Sequence, residues 1–192
     1  MEFNNFSSEV RVGVIGIKGM GWHNLEAILK VEGVRCTAIC DIDDAVLTQR
    51  GKQLSEIGVV PKHYKDFNAM LADPEVDVVI IATPDHWHCL QAIAAIEAGK
   101  DVYVEKPLAN SIVECDALIK AKQASDRIVQ VGQWQRSQRH FQDAVAFVHS
   151  GKLGKIRTVK AWAYLGWKQR VPEKPDAPVP AGVDYLSWEG PA

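Results

Sequence analysis

The stretch VGVIGIKGMG, Val12–Gly21, decides how the rest of the chain is read. An apolar run, VRVGVI over residues 10–15, leads straight into Gly16, Gly19 and Gly21. Leu25, Ile28 and Leu29 then follow at the spacing of one helix face. Strand, glycine turn and helix in that order are what a pyrophosphate-holding loop needs. Its first glycine makes the tight turn, its middle glycine lets the backbone approach the phosphates, and its last lets the helix pack on the strand. Here Gly16 and Gly21 suit the outer roles, but Lys18 stands in the middle position and Gly19 one residue beyond it. A Cβ at position 18 holds the backbone away from a ligand. The helix N-terminus nevertheless favours an anion, and the Lys18 ammonium adds attraction. The competing reading is a glycine turn that binds nothing.

Asp41 weighs against that alternative. It ends the next apolar run, VRCTAIC (34–40), at the distance of about 20 residues where an acidic side chain accepts hydrogen bonds from ribose hydroxyls. A carboxylate there repels a 2′-phosphate, so NAD is expected rather than NADP. Asp43 and Asp44 lie beside it, and a helix-capping aspartate is the alternative.

Outward from these two signals, apolar runs and helical periods alternate. Strands are expected at 10–15, 34–40, 76–82, 101–105 and 127–132, with a short segment around Tyr64. Helices are expected over 20–31, 44–57, 85–98 and 111–125, with a helical turn near 66–71. Asp43 and Asp85 are read as caps, Gly58 with Pro61 and Gly99 as stops. VDVVIIA (76–82) is the most continuously apolar of the strands, as a parallel sheet covered on both faces requires. The order predicts an α/β protein with a Rossmann-type doubly wound parallel sheet over residues 1–133. Residues 134–192 read as the incomplete beginning of a second α/β domain: a helix at 138–150, a strand KIRTVKAWAYL (155–165) with no partner, and a proline-rich loop at 170–182.

Composition narrows the function. The chain has 192 residues, is 47% hydrophobic and 24% charged, and carries a net charge of −2, so no general basic surface is offered to nucleic acid. Cys36, Cys40, Cys89 and Cys115 form no CxxC pair and read as small core residues kept reduced. The N-terminus lacks a basic segment followed by an apolar one, and no apolar run is long enough to span a bilayer. A cytoplasmic protein without a membrane partner is the expectation.

Two further stretches sit at carboxyl ends of expected strands, the edge where open α/β sheets bind ligands. ATPDHWHC (82–89) offers Thr83 and Pro84 as a turn against a cofactor. Its His86, His88 and Cys89 are spaced to point apart rather than to share a metal, so none is expected, and His88 on this reading packs or caps. VEKPL (104–108) places Glu105 and Lys106 side by side, which is costly unless they are solvated, paired or functional. Lys106 could hydrogen-bond a substrate hydroxyl and relay its proton, and the bond to Pro107 is a candidate for the cis form. A plain surface turn is the alternative.

With VGVIGIKGMG, CDID, ATPDHWH, AGKDVYVEKPLA and VGQWQRS in one order, the sequence resembles the Gfo/Idh/MocA family of nicotinamide-dependent oxidoreductases. The resemblance spans nearly the whole chain and is most specific at AGKDVYVEKPLA. It implies an N-terminal Rossmann domain, a C-terminal α/β domain, and hydride transfer to or from sugars, cyclitols and related polyols. It implies that Gly16, Ile17, Lys18, Gly19, Met20 and Gly21 hold the pyrophosphate and Asp41 the adenosine ribose. Thr83, Pro84 and His88 lie along the nicotinamide side, Glu105 near its ribose, and Lys106 is the catalytic lysine. Gln133 and Arg136 fall at the cofactor–substrate cleft. Nothing after Lys106 matches the family's downstream D-x-x-x-H, so the chain reads as a cofactor-binding front half, poorly active alone and expected to self-associate through its second domain. Two rivals stay open: an NAD-dependent glycoside hydrolase of the same fold, and a non-catalytic nucleotide-binding or assembly module.

Overall fold

The computed structural model describes residues 9–163, 170 and 172–191. Its elements in chain order are β1 (Val10–Ile15), α1 (Met20–Ile28), β2 (Val34–Cys40), α2 (Asp44–Glu56), β3 (Lys62–Tyr64), α3 (Phe67–Leu71), β4 (Val78–Ile81), α4 (His88–Glu97), β5 (Asp101–Val104), α5 (Ile112–Gln123), β6 (Val129–Val131), α6 (Arg139–His149) and α7 (Tyr185–Glu189). The strands form one sheet in the order β3-β2-β1-β4-β5-β6, every neighbouring pair parallel. This is a doubly wound Rossmann-type sheet.

Alternating side chains of the central strands build a core on each face. Val12, Val14 and Ile80 join Leu25 of α1 and Leu47 and Leu54 of α2 on one side. Ile15, Val79 and Ile81 join Met70 of α3, Ala92 and Ile96 of α4 and Leu118 of α5 on the other. Burial on both faces is why β4 reads as an unbroken apolar run.

The boundaries depart from the sequence expectation in two places. Asp85 makes no capping hydrogen bond; it opens a 3-10 turn over Asp85–Trp87, and α4 begins only at His88. The expected strand at 155–165 does not form over the described residues 155–163, and Tyr164 and Leu165 lie outside the described residues. A strand needs a neighbour for its ladder hydrogen bonds, and alternation alone supplies none. Val159 and Trp162 are exposed there.

The chain divides into two compact units, one ending at Gly132 and rejoined from Pro180 onward, the other Gln133–Val179. The sequence reading placed 134–192 in a second domain throughout; here the stretch from Pro180 packs with the sheet unit. Among the described residues no helix is long and apolar enough to cross a membrane.

The edge of the sheet is held by a polar cluster around Asp73, just past α3. Its buried carboxylate accepts from Lys62 Nζ at 2.8 Å and Tyr64 Oη at 2.7 Å on β3, and from the Glu75 N–H at 2.9 Å. These donors, led by Lys62, hold the Asp73 pKa down to about 2 from 3.8. The stability this contributes is complete above the unfolded value of 3.8 and is lost as pH falls through about 2. Asp73→Asn is expected to lower the unfolding free energy at neutral pH by about 1–3 kcal/mol. In urea titrations the difference from the unaltered chain should shrink as pH drops from about 4 toward 2; a difference independent of pH would rule the ionised carboxylate out as its source.

Candidate functional site

The site begins where β1 ends. Gly16 has φ +81°, a left-handed conformation that side chains resist. Its N–H donates to the Cys40 carbonyl of β2 at 2.9 Å, and a Cβ on it would lie 2.7 Å from the Ala82 carbonyl beyond β4. The turn is therefore wedged between the two strands that flank β1, at the point where the winding of the sheet reverses. Gly21 also has no room for a Cβ, which would run into the Gly16 carbonyl, whereas Gly19 faces open space. Two of the three glycines are thus sterically required.

Lys18 is accommodated by a contact from α2. Its carbonyl accepts from Arg50 Nη2 at 2.6 Å, and the Arg50 guanidinium stacks 4.3 Å from the Trp22 ring centre. The Ile17 side chain is buried beneath the loop. Among the described residues the Lys18 amide meets no acceptor, and the amides of Gly19, Met20 and Gly21 have none beyond the turn that closes over residues 17–19 onto the Gly16 carbonyl. Unpaired donors at the start of a helix form an anion cradle, and a pyrophosphate fits its chemistry.

Asp41 and Asp43 divide the work that their sequence proximity left open. Asp43 caps α2, its Oδ1 accepting from Ala45 N at 2.9 Å. Asp41 is half-buried at the end of β2, with Oδ2 accepting from Ile17 N at 3.1 Å and Oδ1 from Asp43 N at 3.2 Å. Burial pushes its pKa up, opposed by those two amides. Asp41 thereby ties the glycine loop to β2 while lining a cavity of about 700 Å³ over the strand ends. Gly16, Lys18, Thr83 and Pro84 line the same cavity. Thr83 Oγ1 donates to Gln91 Oε1 at 2.7 Å.

Outside the glycine loop, five expected residues do not line this cavity. His88 is 1% exposed and does not line the cavity. Its Nδ1 lies 2.6 Å from the Pro107 carbonyl and its Nε2 2.8 Å from the Thr83 carbonyl, so the ring joins the turns after β4 and β5 rather than facing a ligand. Glu105 is 4% exposed, accepts from Asn24 Nδ2 at 2.9 Å and from the Lys106 N–H at 3.3 Å, and also stays out of the cavity. Lys106 is exposed beyond β5, and its bond to Pro107 is cis. His86, His88 and Cys89 diverge: His86 Nε2 meets the Trp188 carbonyl at 2.9 Å and Cys89 Sγ the Glu114 carbonyl at 3.2 Å. Gln133 and Arg136 belong to the second unit, where both are exposed and the Arg136 N–H donates to the Gln133 carbonyl at 2.9 Å.

Sequence reasoning missed Arg50, whose approach to the loop crosses 32 positions, and Asn24, which meets Glu105 across 81. It also missed the wall of the cavity formed by Pro180, Val183, Asp184, Ser187 and Trp188. No local pattern marks such contacts.

Residues 10–133 match an oxidoreductase family with an NAD-binding Rossmann fold. The chain is similar to an inositol 2-dehydrogenase of Salmonella typhimurium, 32% identical over 147 residues, covering 76% of this chain and 43% of that protein. It is similar to a glycosyl hydrolase family 109 protein of Solibacter usitatus, 38% identical over 125 residues, covering 62% of this chain and 28% of that protein. Among solved structures it resembles scyllo-inositol dehydrogenase of Lactobacillus casei with bound NAD(H) and scyllo-inositol, at a TM-score of 0.69 and 26% identity, covering 77% of this chain and 43% of that one. The chain spans less than half the length of these relatives.

Gly16→Ala combines positive φ with the Ala82 contact, so it is expected to cost about 1–3 kcal/mol of stability. Gly19→Ala is expected to stay within about 1 kcal/mol because no atom lies near its Cβ. Paired urea unfolding curves check this, and equal losses at both positions would contradict it.

Proposed function

The chain belongs to the Gfo/Idh/MocA oxidoreductase family, and from that footing we propose that it is the NAD-binding part of a dehydrogenase acting on a secondary alcohol of a cyclitol, sugar or related polyol. The observation that carries the proposal is that the amide cradle at Lys18–Gly21 adjoins, through Lys18, the cavity lined by the Asp41 carboxylate, which is free of the capping role that Asp43 takes. The inositol dehydrogenases among the relatives support the polyol class.

In this reading the cradle holds the pyrophosphate and Asp41 accepts from the adenosine ribose hydroxyls. Bound NAD supplies the hydride acceptor at nicotinamide C4. Lys106 hydrogen-bonds the reacting hydroxyl and stabilises charge on its oxygen as its proton passes to water or to a base outside these residues. Glu105 acts one step back: bonded to Asn24 and to the Lys106 N–H, it fixes the backbone from which the lysine projects. His88 sets the spacing between the Thr83 turn and the Pro107 turn. Gln133 and Arg136 are assigned to the substrate side of the cleft, and self-association to the second unit, where Phe147 and Trp162 are exposed. The glycosyl hydrolase relative favours a second reading, in which the same oxidation serves a glycoside-cleaving cycle; glycoside turnover without net NADH would select it.

Calorimetric titration should give NAD at least a tenfold advantage over NADP, about 1.4 kcal/mol. Asp41→Asn should abolish most of that preference and Asp43→Asn should leave it. Equal binding of both cofactors by the unaltered chain would overturn the assignment of Asp41. In the complete enzyme, Lys106→Ala is expected to lower kcat/KM by roughly 10²–10⁴ with NAD affinity held within about threefold. A loss confined to cofactor affinity would remove Lys106 from the chemistry.

A further inference from the structure

The cavity beside Asp41 has a wall that the strands and their turns do not supply. The stretch from Pro180 returns to the sheet unit and lines the cavity, fastened on two sides. At the exit of β2 it adds an antiparallel bridge between Val183 and Asp43. The Asp44 N–H donates to the Gly182 carbonyl and the Asp184 N–H to the Ile42 carbonyl, both at 3.1 Å. At the turn after β4, the Trp188 carbonyl meets His86 Nε2 at 2.9 Å and Trp87 Nε1 at 3.3 Å.

The strap between these anchors is internally braced. Asp184 caps α7 through the Ser187 N–H at 3.0 Å and also accepts from the Ser187 hydroxyl at 2.7 Å. Tyr185 stacks on Trp188 with ring centres 5.7 Å apart, and His86 meets Trp188 edge-on at 5.9 Å. Trp87 in turn packs edge-on against Phe67 at 5.7 Å. The volume enclosed, about 700 Å³, is within the range of roughly 300–1,000 Å³ typical of small-molecule sites.

Position identifies what the enclosed space would take. Asp41 marks the ribose end of the site, and the strands on its side of the switch point, β2 and β3, lead away from Lys106. Apolar and aromatic side chains line the cavity from both sides, Ile42, Phe67, Pro84 and Trp87 from the sheet unit and Val183 and Trp188 from the strap, beside polar groups that include Asp66, Asn68 and Asp184. A flat purine with polar edges suits such a slot, because stacking buries its faces while its edges reach backbone groups.

We propose that residues 180–188 form the outer wall of the adenosine subsite, so that the adenine of the dinucleotide lies between this strap and the exits of β2 and β4. The inference rests on the dinucleotide reading above. The strap is thus part of the binding site rather than a connection passing over it. Adenosine monophosphate, which carries the adenosine half alone, is sufficient to engage it.

Hydrogen exchange of the full chain with and without adenosine monophosphate is the test. Protection of the Asp44 and Asp184 amides is expected to rise at least tenfold at saturation. Ser187→Trp, which fills the cavity from the strap side, is expected to weaken adenosine monophosphate and NAD at least tenfold. If that variant does not fold, the exchange experiment on the unaltered chain decides alone. Saturable binding with unchanged exchange across 181–190 overturns the strap assignment and leaves the dinucleotide reading standing. Failure of the unaltered chain to bind either nucleotide overturns that reading and the strap with it.

Discussion

A Cβ on Gly16 would lie 2.7 Å from the Ala82 carbonyl, and the Gly16 N–H already spends itself on the Cys40 carbonyl. That close approach lets β1 end between β2 and β4 and turn at once into α1. Gly21, equally unable to carry a side chain, lets the first turn of α1 sit against the Gly16 carbonyl. The free amides of the loop, the placement of Asp41 and the cavity all follow from this wedge. Backbone packing of this kind has no substitute in side-chain chemistry.

The loop keeps its turn without the middle glycine because its geometry is secured from outside. Arg50 on α2 holds the Lys18 carbonyl and is itself stacked on Trp22. Asp41 holds the Ile17 N–H. The loop is thus tied to both the strand and the helix that follow it in the chain. The lysine side chain is left exposed beside the cavity.

Residues the sequence grouped as ligand contacts separate into two roles. Gly16, Lys18, Asp41, Thr83 and Pro84 face the cavity. His88 and Glu105 are buried and spend their polar atoms on the protein itself, His88 between two carbonyls and Glu105 on Asn24 and the Lys106 N–H. A buried polar side chain with its hydrogen bonds satisfied is a scaffold element, however close in sequence it lies to a ligand. ATPDHWH and VEKP therefore mark the two turns at the sheet edge together with the residues that hold them in register.

The amino-acid sequence by itself determined the parallel sheet, its helices and the glycine turn. Those features depend on local periodicity and on the steric demands of single residues, and the continuous apolarity of β4 is visible in the sequence. It also marked Asp41, yet could not separate it from Asp43, because which carboxylate caps and which faces the cavity depends on where α2 begins. At 155–165 alternation suggests a strand, but none forms over the described residues 155–163, and no neighbour among the described residues pairs with them. Tertiary structure alone decided that Arg50 steadies Lys18, that His88 spans two turns, and that a segment beginning at Pro180 returns to wall the site opened at Gly16. His86 meets Trp188 across 102 positions, and such a contact leaves no periodic trace because neither partner's local conformation depends on it.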